Sequence, residues 1–103
     1  MLTSPFYPLY PTVNVAVTAT SATVQSNSGG HVAQYLLTNV GTNVVFVTLA
    51  DPTITASPTA TTGASTPILP NSYKVLSGPP NALVAAVASA TGNTLYITPG
   101  EGL

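Results

Sequence analysis

Residues 31–50, HVAQYLLTNVGTNVVFVTLA, contain two runs rich in β-branched, aromatic and leucine residues, joined by a short linker that contains one glycine. Alternating residues of each run point to opposite faces of a strand. The pattern therefore predicts strands over 31–38 and 44–49. A Gly-containing connection of this length favours a β-hairpin through 39–43.

Both strands of this predicted hairpin carry apolar side chains on both faces. Tyr35 and Leu37 share one face while Leu36 lies on the other, and Phe46 opposes Val47. Antiparallel strands more often have one apolar and one solvated face. Since a chain of 103 residues offers one core, we expect the second face to meet another subunit. The alternative is that local twist or a bulge turns some of these residues outward.

The rest of the chain from Val13 onward shows the same period of two, interrupted by turn clusters such as SNSGG at 26–30 and GPPN at 78–81. No segment shows a capped period of 3.6 residues, although the alanine-rich stretch 82–90 could also be helical. We predict an all-β fold, a jelly-roll-like β-sandwich of about eight short antiparallel strands. Further predicted strands cover 13–18, 20–25, 68–69, 73–77, 82–87 and 94–98, with a possible short strand around Ile54.

Residues 1–12 differ from the rest and are predicted to form an extended N-terminal arm, with the sandwich domain at 13–103. Pro5, Pro8 and Pro11 recur every third residue, which is the period of a polyproline II helix. Such a segment cannot join the middle of a sheet, but it can lie across a surface and bury its aromatic rings. A mobile tail is the alternative.

Charge is nearly absent, because only Asp51, Lys74 and Glu101 carry a fixed charge, or 3% of residues. Soluble domains average about 25% charged residues. Binding of nucleic acid through phosphate contacts needs several basic side chains, so it is excluded. The longest apolar run, 82–88, is too short to span a bilayer, and the N-terminus resembles no secretory leader.

The same scarcity argues against catalysis. A hydrolytic triad could be assembled only from His31, Asp51 and some serine, and no nucleophile-elbow motif is present. There is no cysteine, and one His with two distant acids does not suit a metal ion. We therefore predict no enzyme activity, no cofactor and no metal site. Lys74 is expected to be a surface lysine on the same strand face as Leu76. The alternatives are that it snorkels or pairs with Asp51 or Glu101, in the same subunit or a neighbour.

Three segments resemble the small head proteins of tailed bacteriophages, of the decoration or cement type. They are QYLLTNVGTNVVFVTLA at 34–50, PILPNSYKVLSGPP at 67–80 and LVAAVASATGNTLYITPGEGL at 83–103. The resemblance covers roughly residues 31–103 and is a pattern of fold and composition, without a catalytic signature. It implies a jelly-roll-like sandwich that trimerises on the outside of the capsid and clamps neighbouring major capsid proteins.

From this resemblance and the composition we expect a structural virion protein, made in a host cytoplasm and placed on the capsid surface as a homotrimer. A carbohydrate-binding or fibre module, with Tyr73 and Tyr96 as stacking rings, is one alternative. A minor head–tail connector component is the other. The candidate partner contacts are aromatic residues of the arm and of the predicted hairpin, the latter with a core role as its alternative: Phe6, Tyr7, Tyr10, Tyr35 and Phe46.

Overall fold

The computed structural model describes residues 7–31, 33–54, 58–63 and 65–101. All regular secondary structure in these residues is β-strand, which confirms the predicted all-β class and the strand over the alanine-rich segment. The strands are β1 (Tyr7–Pro8), β2 (Val13–Val17), β3 (Ala22–Gln25), β4 (Ala33–Val40), β5 (Val45–Ala50), β6 (Thr66–Ile68), β7 (Ser72–Gly78), β8 (Leu83–Ala88) and β9 (Asn93–Glu101).

The strands form two antiparallel sheets. In the front sheet, β9 pairs with β4 on one side and with both β1 and β2 on the other. β7 pairs with β4 and forms the opposite edge of the sheet. In the back sheet the order is β3, β8, β5 and β6. Successive strands mostly alternate between the sheets, so most connections cross from one sheet to the other rather than form hairpins.

The pairing is that of a jelly roll. Counting β1 and β2 as one interrupted strand, the first strand pairs with the last and the second (β3) pairs with the seventh (β8). The third (β4) pairs with the sixth (β7), and the fourth (β5) with the fifth (β6). This nesting describes one long hairpin that is rolled up and joined side by side through β4 with β9 and β5 with β8.

The core lies between the two sheets and consists of alternate residues of each strand. Tyr35, Leu37, Leu95 and Ile97 of the front sheet are fully buried, and they pack with Val45, Val47, Val84 and Ala86 of the back sheet. Asn39 is one of four buried polar residues among those that the structure describes, together with Ser26, Ser28 and Asn93. Its Nδ2 donates to the carbonyl oxygens of Asn43 (2.9 Å), Ile68 (3.1 Å) and Leu69 (3.2 Å), so it ties two crossing loops to the front sheet.

The prediction of a hairpin through residues 39–43 is wrong. β4 pairs with β7 and β9, whereas β5 pairs with β6 and β8 in the other sheet. The linker therefore crosses the sandwich. The physical reason is the buried Asn39 side chain, which holds the backbone of Asn43 as the chain leaves the front sheet. The expected strand around Ile54 is a turn, in which Ile54 N donates to Asp51 O over 3.0 Å.

Residues 58–63, in the loop between β5 and β6, lie over the outer surface of the back sheet. Ala85 and Val87 point away from the main core, yet they are buried in a second cluster with Ala60 and the half-buried Phe46. Ala60 N donates to Ser21 Oγ over 2.9 Å, which fastens the loop to the sheet. Part of the second apolar face of β5 is therefore covered by the chain itself.

Pro99 lies inside β9, whereas the predicted strand 94–98 ends one residue before it. A proline inside a sheet lacks one hydrogen-bond donor. The site tolerates it because the arm is interrupted opposite Pro99, between the pairs Pro8–Gly100 and Val13–Ile97. The Pro99 carbonyl accepts hydrogen bonds from the N–H groups of residues 9 (3.1 Å) and 10 (3.3 Å). The described part of the arm is thus fastened to the sheet edge.

Candidate functional site

The predicted arm contacts fall into two groups. Phe6 lies outside the described residues. The backbone of Tyr7 pairs with Glu101, whereas the half-buried Tyr10 ring lies against the backbone of Gly29. The approach is close enough that a methyl group on Gly29 would stand 3.0 Å from Tyr10 Cε1. Gly29 has a φ of +65°, so glycine suits this position for both its conformation and its lack of a side chain.

Tyr35 and Phe46, the two contacts predicted on the central strands, are not neighbours on one hairpin. Tyr35 has no exposed surface, and its hydroxyl donates to Pro79 O over 2.5 Å and accepts from Ala82 N over 3.3 Å. Of the two roles considered for Tyr35, the structure therefore places it in the core. Phe46 lies half-buried beneath the loop that covers the back sheet.

The outer surface of the front sheet, here called the front face, has no such covering loop among the described residues. Its central feature is a row of four side chains at one register. Thr38 pairs with Tyr73 on one side and with Tyr96 on the other, and Tyr96 pairs with Asn14. We call Asn14, Tyr96, Thr38 and Tyr73 the tyrosine row.

Among the aromatic side chains whose burial the structure describes, the two tyrosines of this row are the exposed ones. Tyr73 is 70% exposed and Tyr96 is 41% exposed. They stand on strands separated by β4, so their backbones are about 10 Å apart across two strand spacings. The small Thr38 between them leaves a shallow gap between two rings.

Apolar side chains extend the row towards one end of the sandwich. Val40, two residues beyond Thr38 on the same strand face, is 48% exposed. Leu69 is 62% exposed, and its backbone adjoins β4 because its carbonyl accepts from Asn39. On the other side of the row, Leu36 lies between Val75 and Thr98, and Thr98 Oγ1 is 2.7 Å from Thr12 Oγ1.

No described side chain of the front face carries a charge. Lys74 pairs with the core residue Leu37, so its side chain leaves β7 on the opposite side from Tyr73, as alternation with Leu76 predicts. Asp51 lies in the turn after β5, and Glu101 ends β9. The front face therefore offers rings, aliphatic groups, hydroxyls and amides, a set suited to neutral contacts.

Neither a metal centre nor a membrane span is found in the part of the chain that the structure describes. No group of three His, Asp or Glu side chains converges there. No helix there is long and apolar enough to cross a bilayer.

The Asp51 carboxylate accepts two hydrogen bonds from Thr53 that lower its pKa. Hydrogen bonds from the Thr53 hydroxyl (2.7 Å) and backbone N–H (2.9 Å) hold the pKa of Asp51 below its ordinary value of 3.8. These bonds favour the charged form, so their stabilising contribution is present above the ordinary pKa and is lost as the pH falls through the lowered one.

A Thr53→Val variant is expected to raise the pKa of Asp51 towards its ordinary value, because the larger of the two effects, the hydroxyl hydrogen bond, is removed. The check is an NMR titration of the Asp51 side-chain carboxyl carbon. Thr62→Val, at an exposed position of the following loop, is the control and should leave the midpoint unchanged. An equal midpoint in Thr53→Val and wild type would contradict the assignment.

The chain matches no protein-family model, no curated protein and no solved structure. Its function is therefore inferred from the fold and from the geometry of the front face.

Sequence reasoning named Tyr73 and Tyr96 as possible stacking rings but did not bring them together. They lie on β7 and β9, and only the pairing of both strands with β4 aligns them at Thr38. Alternation shows which residues of one strand share a face, whereas the partner strands are set by the topology of the whole chain.

Proposed function

We propose that the chain is a structural virion protein, a capsid decoration or cement protein that binds the outside of a phage head and stabilises contacts between major capsid proteins. The observation that carries the proposal is the front face, where two exposed tyrosines and neighbouring aliphatic groups form a surface without charge. Exposed apolar surface of this kind marks sites of protein–protein contact.

The fold and the composition support the same function. Double-sheet jelly rolls are used by viral capsid domains as well as by lectins. A decoration protein needs no chemistry: a rigid sandwich adds contact area across the junctions of a finished shell. Contacts made by rings, aliphatic groups and hydroxyls depend little on salt, because few charges are present to be screened. We include a homotrimer as part of this proposal, since copies meeting around a threefold position would cross-link several capsid subunits at once.

The test is binding to native heads from which the protein has been removed. A Tyr73→Ser/Tyr96→Ser variant should bind at least about tenfold more weakly, because two aromatic anchors are lost from the contact. Ile54→Ser is the matched control, since Ile54 is 80% exposed but lies in the turn after β5, away from the front face.

Three outcomes would count against the proposal. Equal binding by the double variant would exclude the front face as the contact. Failure of the wild-type protein to bind any head preparation would overturn the function itself. A copy number of about a dozen or fewer per particle would favour a connector or fibre.

Carbohydrate binding is the second candidate, and the tyrosine row is the observation that favours it. Two rings flanking a threonine could stack on sugar faces while Asn14 and Thr38 hydrogen-bond to hydroxyls. Binding of the isolated domain to a glycan array, lost in Tyr73→Ser, would favour this function over decoration.

A further inference from the structure

A groove at the C-terminal end of β9 brings together residues from distant parts of the chain. Its lining consists of Leu9, Tyr10, His31, Ala33, Gly100 and Glu101, and its volume is about 360 Å³. Gly100 is four residues beyond Tyr96 along β9. The groove contains two of the four Asp, Glu, Lys and His side chains in the sequence.

Each wall of the groove is fixed by backbone structure. On one side, Leu9 and Tyr10 are held against β9 by their hydrogen bonds to the Pro99 carbonyl. On the other, the turn that carries His31 is closed by two hydrogen bonds: His31 N donates to Ser28 O (3.2 Å), and Ser28 Oγ donates to His31 O (2.7 Å). Gly100, which has no side chain, lies between these walls, so the groove is formed without a bound partner.

The chemistry of the lining selects the class of ligand. Among the described residues that line the groove, only Glu101 carries a fixed charge, and its carboxylate disfavours anions. The only lysine of the sequence, Lys74, lies on β7, which β4 separates from β9. A planar cation can stack on the Tyr10 ring while it forms two parallel hydrogen bonds with a carboxylate. The guanidinium group of arginine meets both requirements better than the ammonium of lysine.

We infer that this groove binds an arginine side chain presented by a partner protein, with Glu101 pairing with the guanidinium and Tyr10 stacking on it. Charge complementarity supports this occupant, because the groove is acidic and the rest of the surface is nearly uncharged. The guanidinium site stands independently of the proposed function. Only the identification of the partner as a capsid protein rests on the proposed function.

The first experiment uses the isolated full chain and small probes, so that it does not depend on capsid binding. N-acetylarginine amide is titrated while NMR signals of Tyr10, His31, Ala33, Gly100 and Glu101 are followed. We expect saturable shifts at these residues, weaker binding of the lysine analogue and none of the citrulline analogue, which is a neutral near-isostere of arginine. Equal shifts with citrulline would overturn the inference, as would a response to neutral sugars in place of arginine.

Variants then assign the roles. Glu101→Gln should weaken arginine binding about fivefold or more, because a charge-assisted pair is replaced by neutral hydrogen bonds. Asp51→Asn removes the other acidic side chain of the sequence, which lies outside the groove, and should leave the affinity unchanged. Equal loss in both variants would indicate binding by net charge alone and would overturn the site.

The two proposals fail in different ways. If Glu101→Gln loses arginine binding but still binds native heads as tightly as wild type, the groove is not a capsid contact and the decoration function stands. If wild-type protein binds arginine but no heads, the decoration function fails and the guanidinium site stands.

Discussion

An Asn39→Asp variant is expected to lose about 3–5 kcal/mol of stability at neutral pH, which is the typical cost of an uncompensated buried charge. Asn39 has no exposed surface, and its Nδ2 faces three carbonyl oxygens within 3.2 Å. Its Oδ1 has no hydrogen-bond partner among the described residues, so the side chain is held through its donors. A carboxylate would replace those donors with a negative charge directed at the same carbonyl oxygens.

The loss should depend on pH with a definite sign. Burial disfavours the charged form, so the pKa of the introduced carboxyl is raised in the folded state above its unfolded value of about 3.9. Below about pH 4 the group is protonated in both states, and its O–H can still donate to one carbonyl. Between the two pKa values, the stability relative to wild type falls by about 1.4 kcal/mol for each pH unit.

Urea unfolding from pH 3.5 to 8, with wild type measured at each pH, tests this expectation. Asn14→Asp is the matched control, because Asn14 is exposed on β2 and the same substitution there should change stability by about 0.5 kcal/mol or less. An Asn39→Asp variant as stable at pH 7 as at pH 4, relative to wild type, would show that the three carbonyls do not depend on the amide.

Asn39 also illustrates where sequence reasoning stops. The period of two in the stretch 31–50 predicts that Tyr35 and Leu37 share one face, and in the structure both are buried in the core. Asn39 continues that face, but a polar residue at the end of an apolar strand is equally typical of a turn. Its partners, residues 43 and 68–69, come from two different loops, and their convergence depends on the pairing of strands far apart in sequence.

The front face was also predictable only in part, because alternation applies within one strand and does not show which strands are neighbours. Alternation assigns Leu36 and Thr38 to the face opposite Tyr35 and Leu37, and the apolar residues on both faces led to the expectation that the strand needs cover on both sides. For β5, the chain's own loop around Ala60 provides part of the cover. Composition cannot distinguish a strand face that is covered by a loop of the same chain from one that is not. A loop rich in Thr, Ala and Pro carries no signal for the sheet on which it will lie.

A Gly41→Ala variant is expected to lose about 2–4 kcal/mol, from overpacking and from displaced hydrogen bonds. A Cβ at residue 41 would overlap with Asn93 Oδ1, and it would lie 2.9 Å from Asn93 Cγ and 3.0 Å from Asn93 Cα. Asn93 cannot easily move away, because it is only 2% exposed. Its Oδ1 accepts from Asn43 N over 3.1 Å and its Nδ2 donates to Ala90 O over 3.1 Å.

The expected sign is informative because glycine-to-alanine changes otherwise tend to stabilise a protein by restricting its unfolded state. Urea unfolding of Gly41→Ala, Asn93→Ala and the double variant gives the coupling between the two sites. Since Asn93→Ala removes the clashing Oδ1 and Cγ, Gly41→Ala should cost at least about 1 kcal/mol less in that background. Thr42→Ala, at the exposed neighbouring position, should be nearly neutral. If Gly41→Ala costs the same with and without the Asn93 side chain, the contact with the backbone at Cα, rather than the buried amide, is what requires glycine where the chain crosses between the sheets.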